Sequence, residues 1–225
     1  MKILLLKPKW FVRGGVYRYL ENVKFTPLHL GIIAALSDGH EVKVVDGDWD
    51  EIPVNEQFDL VGITTTTFTS QQAYQLAAQF KQTGARVILG GVHPSILPDE
   101  CLQYTDSIVT GEAEYVWPDV LRDAERNQLQ RIYKSTRLVN PQDIPFPRRD
   151  LLNEQPWFAC LQATRGCPNS CRYCYLPNVS WHAYRERPVE TVYSELSAIK
   201  QPIVFFVDDN LFARREYALA LFQRI

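Results

Sequence analysis

Arg86-Val87-Ile88-Leu89-Gly90-Gly91-Val92-His93-Pro94-Ser95 is the stretch that decides the fold. Its apolar run has no polar alternation, which marks a strand buried on both faces, as in a parallel sheet covered by helices. Gly90-Gly91 then closes the strand. The same grammar recurs outward in both directions. Strands are expected over Ile3–Leu6, Glu41–Asp46, Leu60–Thr64 and Ser107–Thr110. Helices are expected over Pro27–Leu36, Gln71–Gln82 and Glu114–Arg126, with Gly39 where a helix stop belongs. Five short β-rich runs spaced by helices predict an α/β, doubly wound parallel sheet over residues 1–126.

Ligands of such sheets bind at the carboxyl ends of the strands. Those ends carry Lys7-Pro8-Lys9, Asp46-Gly47-Asp48, Thr64-Thr65-Thr66-Thr67, Gly90-Gly91-Val92-His93 and Gly111-Glu112. The glycines allow close backbone approach to a bulky ligand, and the threonines offer hydroxyls for amides or phosphate. Ordinary tight βα turns account for each glycine singly. Together they favour a ligand site on this edge. His93 reads as a turn or pocket residue.

Residues 127–156 hold Pro141, Pro145, Pro147 and Pro156, a density that breaks helices and sheet ladders and predicts a linker. A new βα pattern occupies 157–225: a strand over Trp157–Ala163, a helix over Val189–Lys200 after Pro188, a strand over Ile203–Val207 and a helix from Ala213.

Between the first strand and helix of that half lies Arg165-Gly166-Cys167-Pro168-Asn169-Ser170-Cys171-Arg172-Tyr173-Cys174. The spacing is C-x3-C-x2-C. Soft thiolates suit iron–sulfur clusters and zinc. Three thiolates on a four-iron cluster leave one iron open to a substrate. A closed structural zinc site wants four ligands, and the alternative reading is a zinc knuckle that recruits His182. Cys101 and Cys160 read as small core residues. At the end of the next strand, Asp208-Asp209-Asn210 has the side chains to hold an ammonium group, or to cap the following helix. Arg185 and Arg187 offer guanidinium groups to a cofactor carboxylate, beside the reading of a solvated charge run.

The cysteine spacing, with Tyr173 just before the third cysteine, resembles the radical S-adenosylmethionine (SAM) signature. The Gly90–Ser95 and Gly111–Glu114 turns, the Pro27–Gly31 helix start and Pro145-Phe146-Pro147 resemble the cobalamin (B12)-binding members of that group, over nearly the whole chain. The resemblance implies a flavodoxin- or Rossmann-like first domain and the first βα units of a partial barrel. It implies a [4Fe-4S] cluster on Cys167, Cys171 and Cys174, SAM against Tyr173, Asp208, Asp209 and Asn210, and cobalamin against Thr64, Thr65, Thr66, Gly90, Gly91, His93, Gly111 and Glu112. The implied reaction is reductive SAM cleavage to a 5′-deoxyadenosyl radical, with methyl transfer to carbon or a radical rearrangement. Here Asp-Asp-Asn stands where relatives often carry Gly-Gly-Glu. The Asp-x-His-x-x-Gly motif of methionine-synthase-type cobalamin domains is absent, so no sequence motif supplies a lower histidine to cobalt. A cobalamin-free enzyme whose first domain positions substrate or partner, and a non-enzymatic metal module, remain as alternatives.

The bulk numbers narrow the partners. The formal net charge is −2, from 24 Lys+Arg against 26 Asp+Glu, so no basic field invites nucleic acid or an anionic membrane. No apolar run approaches the roughly 20 residues of a membrane span. Met1–Lys7 reads as a buried strand rather than a signal peptide, and the expectation is a cytoplasmic chain with reduced thiols. Expected partners are a small-molecule substrate, an electron donor such as flavodoxin or ferredoxin, and a partner chain that completes the barrel.

Overall fold

The computed structural model describes residues 1–10, 25–154, 157–180 and 183–225. His182 and Pro156 lie outside the described residues. The chain divides into two compact units, residues 1–137 with 147–153, and residues 138–146 with 154–225.

The first unit is a parallel sheet of six strands: β1 (Lys2–Lys7), β2 (Glu41–Asp46), β3 (Leu60–Thr64), β4 (Arg86–Gly90), β5 (Ser107–Thr110) and β6 (Ile132–Lys134). Their order is β2-β1-β3-β4-β5-β6, every neighbouring pair parallel. The doubly wound α/β expectation holds. The order reverses between β1 and β3, and a crevice at the carboxyl ends there is where such sheets bind ligands.

Alternation along each strand explains the continuous apolar runs. Leu4, Leu6, Val61, Ile63, Val87 and Leu89 face helix α2 (Ser70–Gln82), which contributes Ala73, Leu76, Ala77 and Phe80. Ile3, Leu5, Leu60, Ile88 and Val109 face the other way. They meet Leu30 and Ala34 of α1 (Leu28–Ala35) and Trp117, Val120, Leu121 and Ala124 of α5 (Trp117–Glu125). Burying one such side chain contributes about 1.5–3 kcal/mol, so both layers are needed to hold the sheet. Two short helices, α3 (Val92–Ile96) and α4 (Pro98–Cys101), lie between β4 and β5.

β6 was not expected, because it has three residues after a polar stretch and shows only one buried side chain, Tyr133. The Tyr133 hydroxyl donates to Asp123 Oδ2 at 2.8 Å and accepts from Gln130 N at 3.0 Å. Those contacts fix the strand where its hydrophobicity does not. Residues 127–137 therefore belong to the sheet unit. The proline-rich stretch is likewise not one free linker. Arg148 N donates to Gly31 O at 3.0 Å, and a Cβ on Gly31 would lie 2.8 Å from Pro147 Cβ and 2.9 Å from Leu152 Cδ1. Gly31 is a glycine because residues 147–152 lie against α1.

The second unit pairs β7 (Phe158–Leu161) in parallel with β10 (Ile203–Phe206). β8 (Thr164–Arg165) pairs antiparallel with β9 (Arg185–Glu186). The helices are α6 (Leu176–Ser180), α7 (Val189–Ala198) and α8 (Arg215–Arg224). Leu161, Ala163, Val192, Leu211, Tyr217 and Leu221 form its core. The Tyr217 hydroxyl is within hydrogen-bond reach of Ala163 O (3.1 Å) and Arg187 O (2.8 Å), and burial pushes its pKa up. Arg187 is buried against Glu195 at 2.7 Å and donates from Nη1 to Gln162 O at 2.6 Å. Arg185 donates to Val139 O at 2.6 Å. Both guanidinium groups, each also able to reach a cofactor carboxylate on the sequence reading, make contacts within the unit.

Candidate functional site

The carboxyl edge of the first unit is built by strand register. Thr64 pairs with Gly90, and Thr65 N donates to Gly90 O at 2.8 Å, so the threonine and glycine turns lie side by side. Gly91 has φ +99° and ψ −161°, a conformation essentially restricted to glycine. A Cβ there would lie 3.0 Å from Thr65 O and 3.1 Å from both Thr65 N and Thr64 Oγ1. Gly91 is thus demanded by the fold itself. Gly90 is not: its Cβ would find only Val109 Cβ, at 3.9 Å. At Gly111, φ +75°, a Cβ would meet nothing within 4 Å. Space therefore opens over Gly90 and Gly111, which is the fit expected of a cradle for a large ligand.

Ser95 joins the two turns. Its hydroxyl donates to Gly91 O at 2.7 Å and accepts from Gly111 N at 2.8 Å. Sequence reasoning quoted Ser95 without a role; its spacing of four from Gly91 on a helical turn was the available signal. Thr65 is fully buried, with its hydroxyl directed to Ile63 O at 3.4 Å, so it faces inward. Thr64 and Thr66 are half-buried at the edge, and Thr66 forms a reciprocal cap with Thr69. Glu112 is half-buried just after Gly111.

His93 is 2% exposed, beneath the loop rather than on it. Its Nε2 is 2.8 Å from the Tyr74 hydroxyl, which donates to Glu100 Oε1 at 2.8 Å. The phenol proton is used on the carboxylate, so His93 Nε2–H donates to Tyr74 and Nδ1 accepts from Thr67 Oγ1 at 3.3 Å. Both ring nitrogens are occupied by protein. Burial, with the Cys101 and Glu100 contacts, pushes the Tyr74 hydroxyl pKa up, which keeps it a donor. On the neighbouring strand ends, Lys7 Nζ bridges Asp46 Oδ1 and Asp48 Oδ2, each at 2.6 Å. Burial raises the Asp46 carboxyl against the opposing pull of Lys7.

In the second unit, the cysteine loop starts where β7 and β10 run side by side. Phe206 pairs with Leu161, and Val207 N donates to Leu161 O at 2.9 Å. This register sets Asp208-Asp209-Asn210 against the start of the loop. The Asp208 carboxylate accepts from Ala163 N at 3.1 Å, from Thr164 N and from Thr164 Oγ1 at 2.6 Å. Burial raises its pKa, and these donors oppose the rise. Asp209 Oδ2 accepts from Gly166 N at 3.0 Å, and Asn210 Nδ2 donates to Cys167 Sγ at 3.5 Å. The turn read as a holder of ammonium is engaged with the loop; Asp209 alone of the three is exposed.

Cys167, Cys171 and Cys174 carry free thiols, half-buried, exposed and half-buried respectively. Cys174 N donates to Cys171 O at 3.0 Å, a turn that puts the second and third cysteines on one bend. Among the described residues no three His, Cys, Asp or Glu side chains converge as a metal site. The loop brings the donors together in sequence without gathering their sulfurs. Three thiolates repel one another, and a metal centre supplies the attraction that closes such a set. The donor chemistry, three soft thiols with an amide N–H directed at one sulfur, fits an iron–sulfur cluster. Tyr173 is 93% exposed, its hydroxyl pKa raised by the charge of Cys171 and a hydrogen bond to it. Tyr175, beside it, is raised chiefly by burial. Cys101 and Cys160 are fully buried core residues.

Residues 25–121 match the B12 binding domain. The chain is 31% identical over 212 residues to bacteriochlorophyllide d C-12(1)-methyltransferase of Chlorobaculum tepidum, covering 88% of this chain and 46% of that protein. It is 30% identical over 182 residues to bacteriochlorophyllide d C-8(2)-methyltransferase of the same organism, covering 76% of this chain and 40% of that protein. The chain thus spans about half the length of the curated relatives it matches. In three dimensions it is similar to TsrM of Kitasatospora setae, a radical SAM methyltransferase whose structure holds cobalamin and a [4Fe-4S] cluster. The TM-score is 0.73 at 14% identity, over 99% of this chain and 50% of that one. The resemblance drawn from the cysteine loop and the strand ends is borne out, as is the α/β fold. The absence of any helix long and apolar enough to cross a membrane, among the described residues, agrees with the sequence.

Proposed function

We propose that this chain serves a cobalamin-dependent radical SAM methyltransferase acting on a small-molecule substrate. The observation that carries the reading is the union, in one chain, of a B12-binding domain and a C-x3-C-x2-C loop set directly after a β-strand. When bound, a [4Fe-4S] cluster supplies the electron for reductive SAM cleavage and cobalamin supplies a methyl carrier.

The residues divide the work as follows. Cys167, Cys171 and Cys174 hold the cluster. Tyr173, exposed between the last two, and Asp209, exposed at the end of β10, face SAM. Asp208 fixes the strand-to-loop corner through three donors. In the first unit, Gly90 and Gly111 leave the space for the corrin, and Gly91 and Ser95 fix the turns that frame it. Thr64, Thr66 and Glu112 offer polar contacts at the rim. Thr65 and His93 act from below, His93 by holding Thr67. An external donor such as a flavodoxin or ferredoxin supplies electrons, and the reaction takes place in the cytoplasm.

Anaerobic reconstitution with iron and sulfide tests the reading. A broad iron–sulfur absorbance, and a cobalamin spectrum that survives desalting after incubation with hydroxocobalamin, are the expected results. A colourless zinc-replete protein would contradict the cluster, and complete loss of cobalamin on desalting would contradict the first unit's role.

A further inference from the structure

The Asp208-Asp209-Asn210 turn meets the cysteine loop with a consistent polarity. Its two carboxylates face backbone N–H donors: Asp208 takes those of Ala163 and Thr164, and Asp209 takes that of Gly166. Its amide faces an acceptor, Cys167 Sγ, at 3.5 Å from Nδ2. Acceptors meet donors and the donor meets sulfur, all within one strand end. The pairing of β7 with β10 fixes this arrangement, because Phe206 sits opposite Leu161 and the two chains leave the sheet together. Both Asn210 and Cys167 are half-buried, so water screens the contact only in part.

A hydrogen bond to a thiolate ligand withdraws negative charge from the sulfur. It favours whichever cluster state is more negative, and that is the reduced one. An aspartate of nearly the same shape would do the reverse. The identity of residue 210 as an amide, after two acids, is therefore an electrical choice as well as a geometric one.

We propose that Asn210 is a positioning residue that tunes the cluster. Its side-chain amide donates to the Cys167 sulfur and raises the potential at which the cluster accepts an electron. The inference rests on the reading above that Cys167 is a cluster ligand.

The test is EPR-monitored potentiometry on the reconstituted full chain, with Asn210→Leu, Asn210→Asp and the control Lys200→Gln, a charge change before the start of β10, at the end opposite the loop. Asn210→Leu removes the donor at similar volume; Asn210→Asp removes it at similar shape and adds charge. Both are expected to keep their iron and sulfide. At a fixed potential their reduced-to-oxidised ratio falls roughly three- to tenfold with Leu, the scale of one ordinary hydrogen bond, and further with Asp. Lys200→Gln leaves the ratio close to that of the unmodified chain. Midpoints that stay together across the Asn210 variants, or rise, overturn the proposal. Loss of the cluster in both variants also overturns it, since a tuning donor is not needed for ligation. If the unmodified chain takes no [4Fe-4S] cluster, the ligand reading itself fails; if it takes one and the variants do not shift, only the role of Asn210 fails.

Discussion

Gly90 and Gly91 are neighbours, yet the structure gives them opposite reasons for being glycine, and alanine at each separates fold from ligand. At Gly91, φ +99° and ψ −161° cost any other residue about 1–3 kcal/mol. The new methyl also lies 3.0 Å from Thr65 O and 3.1 Å from Thr65 N, backbone atoms that cannot rotate away. Overpacking of that kind adds about 1–3 kcal/mol. The expected loss for Gly91→Ala is therefore about 2–6 kcal/mol. At Gly90 the methyl finds only Val109 Cβ, at 3.9 Å, so Gly90→Ala should stay within about 0.5 kcal/mol of the parent. It fills the space proposed for the corrin, however, and should weaken cobalamin retention at least tenfold, or about 1.4 kcal/mol. Gly84→Ala, at φ +89° with no atom within 4 Å, is the control for strain alone: about 1–2 kcal/mol and no change in cobalamin. Urea unfolding reads the first quantity, and absorbance after equilibrium dialysis with hydroxocobalamin reads the second. The reasoning is refuted if Gly90→Ala binds cobalamin as the parent does, or if Gly91→Ala unfolds at the parent's urea midpoint.

Other perturbations follow from the second unit and from the strand ends. Asp208→Ala strands three donors and should cost about 2–4 kcal/mol in urea unfolding, with faster proteolysis between residues 163 and 174; an unchanged midpoint would show that the loop is held elsewhere. Glu195→Ala leaves Arg187 charged and buried and should cost about 3–5 kcal/mol, whereas an Arg187→Met/Glu195→Leu double variant should fall near the parent. A double variant as unstable as the single one would contradict that. Burial holds the Asp46 carboxyl above its ordinary value of 3.8, so ionising it opposes folding. Its contribution is complete below that value and is lost as pH rises through the folded value. Relative to Asp46→Asn, the parent should be most stable near the acid end of a series between about pH 3 and pH 7; a difference that grows with pH would reverse the sign of the argument.

Much of the sheet was legible because its strands obey one rule. Runs such as Leu60–Thr64 and Arg86–Gly90 are buried on both faces, and hydrophobicity alone marks them. β6 escaped because a single tyrosine and its two polar contacts hold it. The 127–156 linker was misplaced for a related reason. Prolines report that helix and ladder are broken, but not that Pro147 and Leu152 are packed on Gly31. At the sites, residue types were readable and directions were not. Gly91 and the three loop cysteines announce themselves by composition. Whether His93 points up to a ligand or down to Tyr74, and whether Asp208 faces solvent or Thr164 N, depends on strand register and on partners 15 to 50 residues away. No local pattern encodes those partners.

The central claim, that Cys167, Cys171 and Cys174 hold a cluster whose open iron meets SAM, is tested most directly by EPR of the anaerobically reconstituted, reduced chain with and without SAM. The account predicts a [4Fe-4S] signal that SAM reshapes, and that is lost when any one of these cysteines becomes serine but kept in Cys101→Ser and Cys160→Ser. A signal indifferent to SAM, or one that survives replacement of the three cysteines, would contradict it.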